Sequence, residues 1–201
     1  MTLPLYKWLH ADGTTAIQRK SWPVAVGEWT PSVIPVLCQS GWHAMYERDV
    51  LAHLPEEAGA QLWRVEVRGE VVEGDDKIAA TSMRLDYQLG VTTETNLRLF
   101  ACDVAQDALS LVEHPDPRSL AAVEVARRYA VGAATDRELY AARSAAGSAA
   151  EYAARSAAGS VAGSAAEYAA GSAAEYAAWD AGSAARARYS NWLVVRIESG
   201  Y

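Results

Sequence analysis

The chain has 201 residues, a formal net charge of −7 and only three lysines, Lys7, Lys20 and Lys77. That length holds one domain, or one domain with an appendage. The acidic balance argues against a nucleic-acid or anionic-membrane partner engaged through bulk charge, and two cysteines, Cys38 and Cys102, do not make a disulfide framework.

The opening "MTLPLYKWLHADG" lacks a basic start followed by an apolar run, so no signal peptide is expected. The Ala-rich tail is interrupted by Glu151, Arg155, Glu167, Glu175 and Asp180. It falls short of the roughly 18 uninterrupted apolar residues a membrane span needs. A reduced cytoplasmic protein is the expectation.

Five of the seven tryptophans (Trp8, Trp22, Trp29, Trp42, Trp63) lie in the first third, among Pro4, Pro23, Pro31, Pro35 and Pro55. Large aromatics with frequent prolines describe strands and loops. "VIPVLC" at 33–38 reads as a short buried strand, and "ERDVLAHL" at 47–54 as a short helix closed by Pro55. In "LWRVEVRGEVV", Trp63, Val65, Val67 and Val71 alternate with Arg64, Glu66, Arg68 and Glu70. Period-two alternation predicts a strand with one wet face, in an antiparallel sheet. "EGDD" at 73–76 is a turn, and "KIAATSMRLDY" is the return strand. Residues 1–90 are therefore an α+β domain.

The next region, 91–132, reads as a pair of helices. "TNLRLFACDVAQDALSLVEH" puts Leu97, Phe100, Ala101, Val104, Ala108, Leu111 and Val112 on one stripe. The second helix has Asp116 as cap, Pro117 at its first position and Gly132 as stop. Leu120, Val123, Ala126 and Tyr129 or Ala130 form its expected buried face.

"TDRE" at 135–138 is a capping box that opens a third region, 133–190, where Ala recurs almost without pause. Here a tetrad repeats, as in "GSAAEYAAGSAAEYAAWD". Four residues overshoot a helical turn by about 40°, so Tyr140, Tyr152, Tyr168 and Tyr176 fall at about 0°, 120°, 280° and 360° round a straight helix. They cannot share one face. Either the helix breaks near Gly159–Gly163, or a rod of about 75 Å is contacted on several sides; the break is favoured. Ala, Ser and Gly permit close helix approach, with tyrosines and Trp179 as pegs. The expected C-terminal architecture is an Ala-rich helical bundle or hairpin arm, with a protein partner or self-association through 136–190. The apolar 191–201 segment is expected to fold back on the helical hairpins.

Candidate chemistry centres on "CQSGWHAMYERD". Cys38 and His43 lie close, with Glu47, Asp49 and His53 following, and a Cys/His nucleophile pair needs hydrogen-bond contact and an orienting third group. Zinc needs four ligands. Cys38, His43, His53 and Cys102 supply the types, but no CxxC or HxxxH spacing supports a site. A buried Cys and a hydrogen-bonded His are the plainer reading. His10 and His114 show no pairing pattern. The acidic "GEVVEGDDK" reads as a solvated turn, and no nucleotide-binding glycine loop is present. Neither a metal nor a cofactor is expected.

Residues 3–90 resemble a family from phages and actinobacteria through "LYKWL", "LCQSGWHA" and "LWRVEVRGEVVEGDDKIAA"; the resemblance implies no activity. Residues 118–146 are similar to the helical part of immunity proteins with Ala-rich tails. The order of a Leu-Tyr strand, a Gly-aromatic turn, a short helix and a Val-Glu-Val strand is also similar to ADP-ribosyltransferase domains. That resemblance implies an NAD-using cleft at Tyr6, Trp42 and His43, with Glu66, although no His or Arg follows the Tyr. The leading expectation is a non-catalytic phage or mobile-element accessory protein acting through protein–protein interaction, an immunity or counter-defence role included.

Overall fold

A computed structural model describes residues 3–16, 18–55, 58–110, 113–161 and 187–199. The fold is α+β, with an antiparallel sheet and C-terminal helices. It divides into two compact units, Met1–Thr93 with Ser183–Tyr201, and Glu94–Gly182.

Four strands build the first unit: β1 (Leu5–Leu9), β2 (Trp42–Tyr46), β3 (Gln61–Glu73) and β4 (Ile78–Val91). They close into a small barrel in the order β1-β2-β4-β3, every pair antiparallel. The long β3–β4 hairpin turns where the acidic turn is expected, and Gly74 donates its N–H to the Lys77 carbonyl. A bulge between Arg68 and Val71 bends β3, with Gly69 at φ +81° opposite Thr81. The period-two pattern holds up to that bulge. Trp63 and Val65 are buried with Leu5, Leu9, Ile78, Met83 and Leu85, and Val67 packs against them. Beyond it, Val71 is exposed.

β2 covers only Ile78–Ala80 of β4, and an extended strap covers the edge from Thr81 to Leu85. The N–H groups of Gly27, Thr30 and Val33 donate to the carbonyls of Leu85, Met83 and Thr81. The expected buried strand at 33–38 is not formed. Ile34 and Val36 are exposed, and only one isolated bridge, Val36 with Ser40, occurs there. Pro35 has no N–H for a ladder and a tight turn at 36–41 ends the extension, while β2 and the strap occupy the β4 edge that a strand there would need. The expected helix at 47–54 is instead two short 3-10 turns, Glu47–Asp49 and Leu51–His53.

A helix over 187–199, here α4, belongs to the barrel unit, whereas its apolar residues were expected to fold back on the helical hairpins. Leu193, Val194 and Ile197 are buried. Ser190 accepts from the Leu51 N–H and donates to the Arg48 carbonyl, at 3.1 and 2.9 Å. Gly90 makes the approach possible, since a Cβ there would stand 2.5 Å from the Ile197 carbonyl oxygen.

The second unit comprises α1 (Glu94–Ser110), α2 (Pro117–Ala130) and α3 (Asp136–Val161). Asp116 caps α2 by accepting from the Arg118 N–H, and Gly132 at φ +75° follows its end. Thr135 and Glu138 form the capping box, each accepting from the other's backbone N–H. Arg127 joins α2 to Asp103 of α1 at 2.6 Å, and the Tyr129 hydroxyl reaches Asp136. Two residues of the expected apolar stripes, Ala101 and Leu120, are exposed; Phe100, Cys102 and Ala130 carry the burial. Cys102 is buried in place of its neighbour Ala101, as its thiol behaves as a small apolar group. The favoured break near Gly159–Gly163 lies mostly outside the described residues, as do Leu111 and Val112. Among the described residues, no helix is long and apolar enough to cross a membrane.

Candidate functional site: a cation-lined cleft in the barrel unit

β1 pairs with β2 only at Leu5 and Tyr6, whereas it follows β3 from Leu5 to Leu9. Beyond Tyr6 the ladder between β1 and β2 stops. A cleft of about 980 Å³ is lined by residues from both strands, the 15–23 loop, the 38–41 turn, the 52–55 segment and Lys77. All three lysines of the chain line it, with Arg19, His10, His43 and His53, and no Asp or Glu is among the described lining residues. In an acidic protein this is a strong local reversal of charge.

Lys7 is the most unusual of these groups. Alternation along β1 places it on the same side as the core residues Leu5 and Leu9. It is 8% exposed, donates to the His43 carbonyl at 2.7 Å, and lies 5.7 Å from the Trp22 ring centroid. No carboxylate pairs with it among the described residues. Burial therefore lowers its pKa from 10.5 to about 8. Trp22 stands edge-on to Trp42, ring centroids 5.3 Å apart. The Trp22 indole N–H is buried and has no hydrogen-bond partner, the one such side-chain atom among the described residues.

The Cys38–His43 pair comes together, though not as nucleophile and base. The Cys38 backbone N–H donates to His43 Nε2 at 3.2 Å. A hydrogen bond to the Gly41 backbone engages the ring as well. With Nε2 accepting, the neutral ring carries its proton on Nδ1. Burial first, then the charges of Lys7 and Lys77, hold the His43 pKa below the usual range. The ring thus pins the 36–41 turn, in which Cys38 takes the left-handed φ of +61°. Cys38 is exposed, not buried, and its thiol neighbours the Lys77 ammonium. Lys77 pairs with Asp76 at 2.9 Å, and that hydrogen bond raises the Lys77 pKa and lowers that of Asp76. His53 meets the same carboxylate at 3.1 Å. The "EGDDK" turn keeps Glu73 and Asp75 exposed, as expected of a solvated turn, while Asp76 ties it to His53 and Lys77 of the cleft wall.

The other candidates are elsewhere. Glu47 accepts from Asn191 of α4, and Asp49 meets Arg48, its pKa raised by burial. Tyr6 is buried under the Arg64 guanidinium, 5.1 Å away, and burial raises its pKa. Glu66 pairs with Arg84 at 2.7 Å. Of the positions suggested by the ADP-ribosyltransferase resemblance, Trp42 and His43 line the cleft and Tyr6 and Glu66 do not. The four do not converge. His10 contacts the Ala16 carbonyl, and His114 is exposed beside Glu113. Among the described residues no three His, Cys, Asp or Glu side chains are grouped to hold a metal ion. Tyr140 is 77% exposed on α3. The Tyr152 side chain, Tyr168, Tyr176 and Trp179 lie outside the described residues.

Sequence reasoning missed Lys7, Lys20 and Lys77 as a group. Their scarcity was visible, but the spacing of 13 and 57 residues carries no motif. No protein-family model, curated protein or solved structure matches the chain.

Proposed function

We propose that the chain is a non-catalytic accessory protein that works by binding, and that the barrel cleft takes a small anionic ligand. The observation that carries this is the convergence of all three lysines on one cleft whose described lining holds no carboxylate. Like charges gathered in a partly enclosed site repel one another, so an arrangement of this kind is stabilised by an anion. The walls of Trp8, Trp42 and Met45 suit an apolar portion of that ligand.

Thermal unfolding at constant ionic strength tests the reading, with phosphate, lactate, citrate and a nucleoside monophosphate compared against chloride. A ligand present at 100 times its Kd adds about 2.7 kcal/mol to stability. At least one organic anion should raise the midpoint, and Lys77→Met should weaken the effect. If none of these anions moves the midpoint, the reading is wrong.

A second surface fits the same accessory role. The Ala-rich segment 136–190 would meet a protein partner or a second copy of the chain, and exposed Tyr140 supports this. Light scattering on the full chain and on Tyr140→Ser is the check. An unchanged monomer in both, with no protein retained by the wild-type chain alone, would remove the arm from the proposal.

A further inference from the structure

Lys7 differs from the other cations of the cleft. Lys77 is balanced by Asp76, Arg19 has Asp12 near it, and Lys20 is exposed. Lys7 alone combines deep burial, a place on the cleft wall and no paired carboxylate among the described residues. Its hydrogen bond to the His43 carbonyl positions Nζ without occupying its lone pair once a proton has left. The His43 carbonyl and the Trp22 ring favour its charged form, but no carboxylate among the described residues does, and burial outweighs both. His43 and Lys77 are neutral or cationic, and Trp22 and Trp42 exclude water. A lysine desolvated in an apolar pocket beside other cations is the arrangement that makes an amine nucleophilic near neutral pH.

We infer that Lys7 captures a carbonyl-bearing anion, such as a 2-oxo carboxylate, as a reversible imine. The inference rests on the anion-binding reading above and names the ligand class for that cleft. The Lys7 ammonium first releases a proton to solvent. Its lone pair then attacks the carbonyl carbon, and the C=O π pair moves to oxygen, which takes up a proton. The carbinolamine loses water and leaves a C=N bond to Nζ. The net change is amine plus carbonyl to imine plus water, with no oxidant or reductant. The ligand's carboxylate would meet the cations of the cleft. The fall of the Lys7 pKa to about 8 agrees with this, since a useful fraction of the amine is neutral near physiological pH.

The test uses the full chain with pyruvate and sodium cyanoborohydride, which traps an imine as a stable secondary amine. Peptide mass mapping then locates the adduct. The expected result is one dominant adduct at Lys7, absent in Lys7→Arg and retained in Lys20→Arg and Lys77→Arg. At pH 7 the wild-type chain should carry more label at Lys7 than at Lys20 and Lys77 together, a comparison that needs no variant to fold. Lactate, the same anion without the carbonyl, separates the two claims. If lactate binds by calorimetry but pyruvate leaves Lys7 unlabelled or labels all amines alike, the imine is refuted and the anion cleft stands. If Lys7 is labelled selectively and lactate neither binds nor slows it, the anion reading is refuted.

Discussion

Replacing Lys7 by Met offers the sharpest test of the buried charge. Folding moves the Lys7 pKa from 10.5 to about 8 through burial. The unfolded chain therefore holds this proton more tightly. The native state carries the full cost below about pH 8, and the cost fades as pH rises towards 10.5. The shift corresponds to about 3 kcal/mol at pH 7 and to about 1 kcal/mol at pH 10. Met removes that cost at every pH. It also leaves the His43 carbonyl without its donor, a penalty of about 1–2 kcal/mol that does not depend on pH. Lys7→Met should thus be about 1–2 kcal/mol more stable than the wild type at pH 7. Its advantage should fall by about 2.5 kcal/mol between pH 7 and pH 10. Urea unfolding followed by tryptophan fluorescence measures this, because Trp8, Trp22, Trp42 and Trp63 all report on the barrel unit. The difference between the two proteins cancels the titrating groups that Lys7 does not influence; His43, whose pKa the Lys7 charge lowers, is the exception. A difference that stays flat with pH would refute the buried, unpaired ammonium.

Four further outcomes follow from the packing. Gly90→Ala should cost about 1–3 kcal/mol, the usual penalty of overpacking, because its Cβ would meet the Ile197 backbone; denaturant titration checks it, and a neutral effect would mean that α4 does not sit against β4. Ser190→Ala should cost about 2 kcal/mol by stranding the Leu51 N–H and the Arg48 carbonyl, and hydrogen exchange of the Leu51 amide should speed up. Cys38→Gly should be neutral or stabilising by up to about 1 kcal/mol, since it removes a left-handed non-glycine residue; a clear loss of stability in urea would show that the thiol packs. Thr135→Ala should lower the stability of the helical unit by about 1 kcal/mol, read from far-ultraviolet circular dichroism on heating, while the barrel tryptophan signal stays unchanged.

Much of the local structure was legible in the chain. The alternation in "LWRVEV" set the buried face of β3, because neighbouring side chains of a strand must point to opposite sides. The Asp116 cap, Pro117 and the Thr135–Glu138 box marked helix starts, because helix ends leave backbone donors that only short polar side chains nearby can meet. Reading went wrong where a residue's neighbours come from far along the sequence. Val33–Cys38 is apolar enough for a buried strand, yet β2 and the 27–33 strap already take the edge of β4. Leu120 fits its helical stripe but nothing covers it fully. Cys38 and His43 were correctly singled out as neighbours. That the His43 ring serves the backbone of the turn depended on how the turn folds.

The sequence by itself determined the element types of the hairpin and the three helices, the caps, and the tetrad's failure to mark one face. These depend on residues a few positions apart, where periodicity and capping chemistry act. Tertiary structure decided three things: the closure of the barrel, the seat of α4 against Gly90, and the meeting of Lys7, Lys20 and Lys77 in one cleft. The last depends on where the β1–β2 ladder stops. Charge at one point in space is a sum over residues from separate strands and loops, and one-dimensional spacing does not encode that sum.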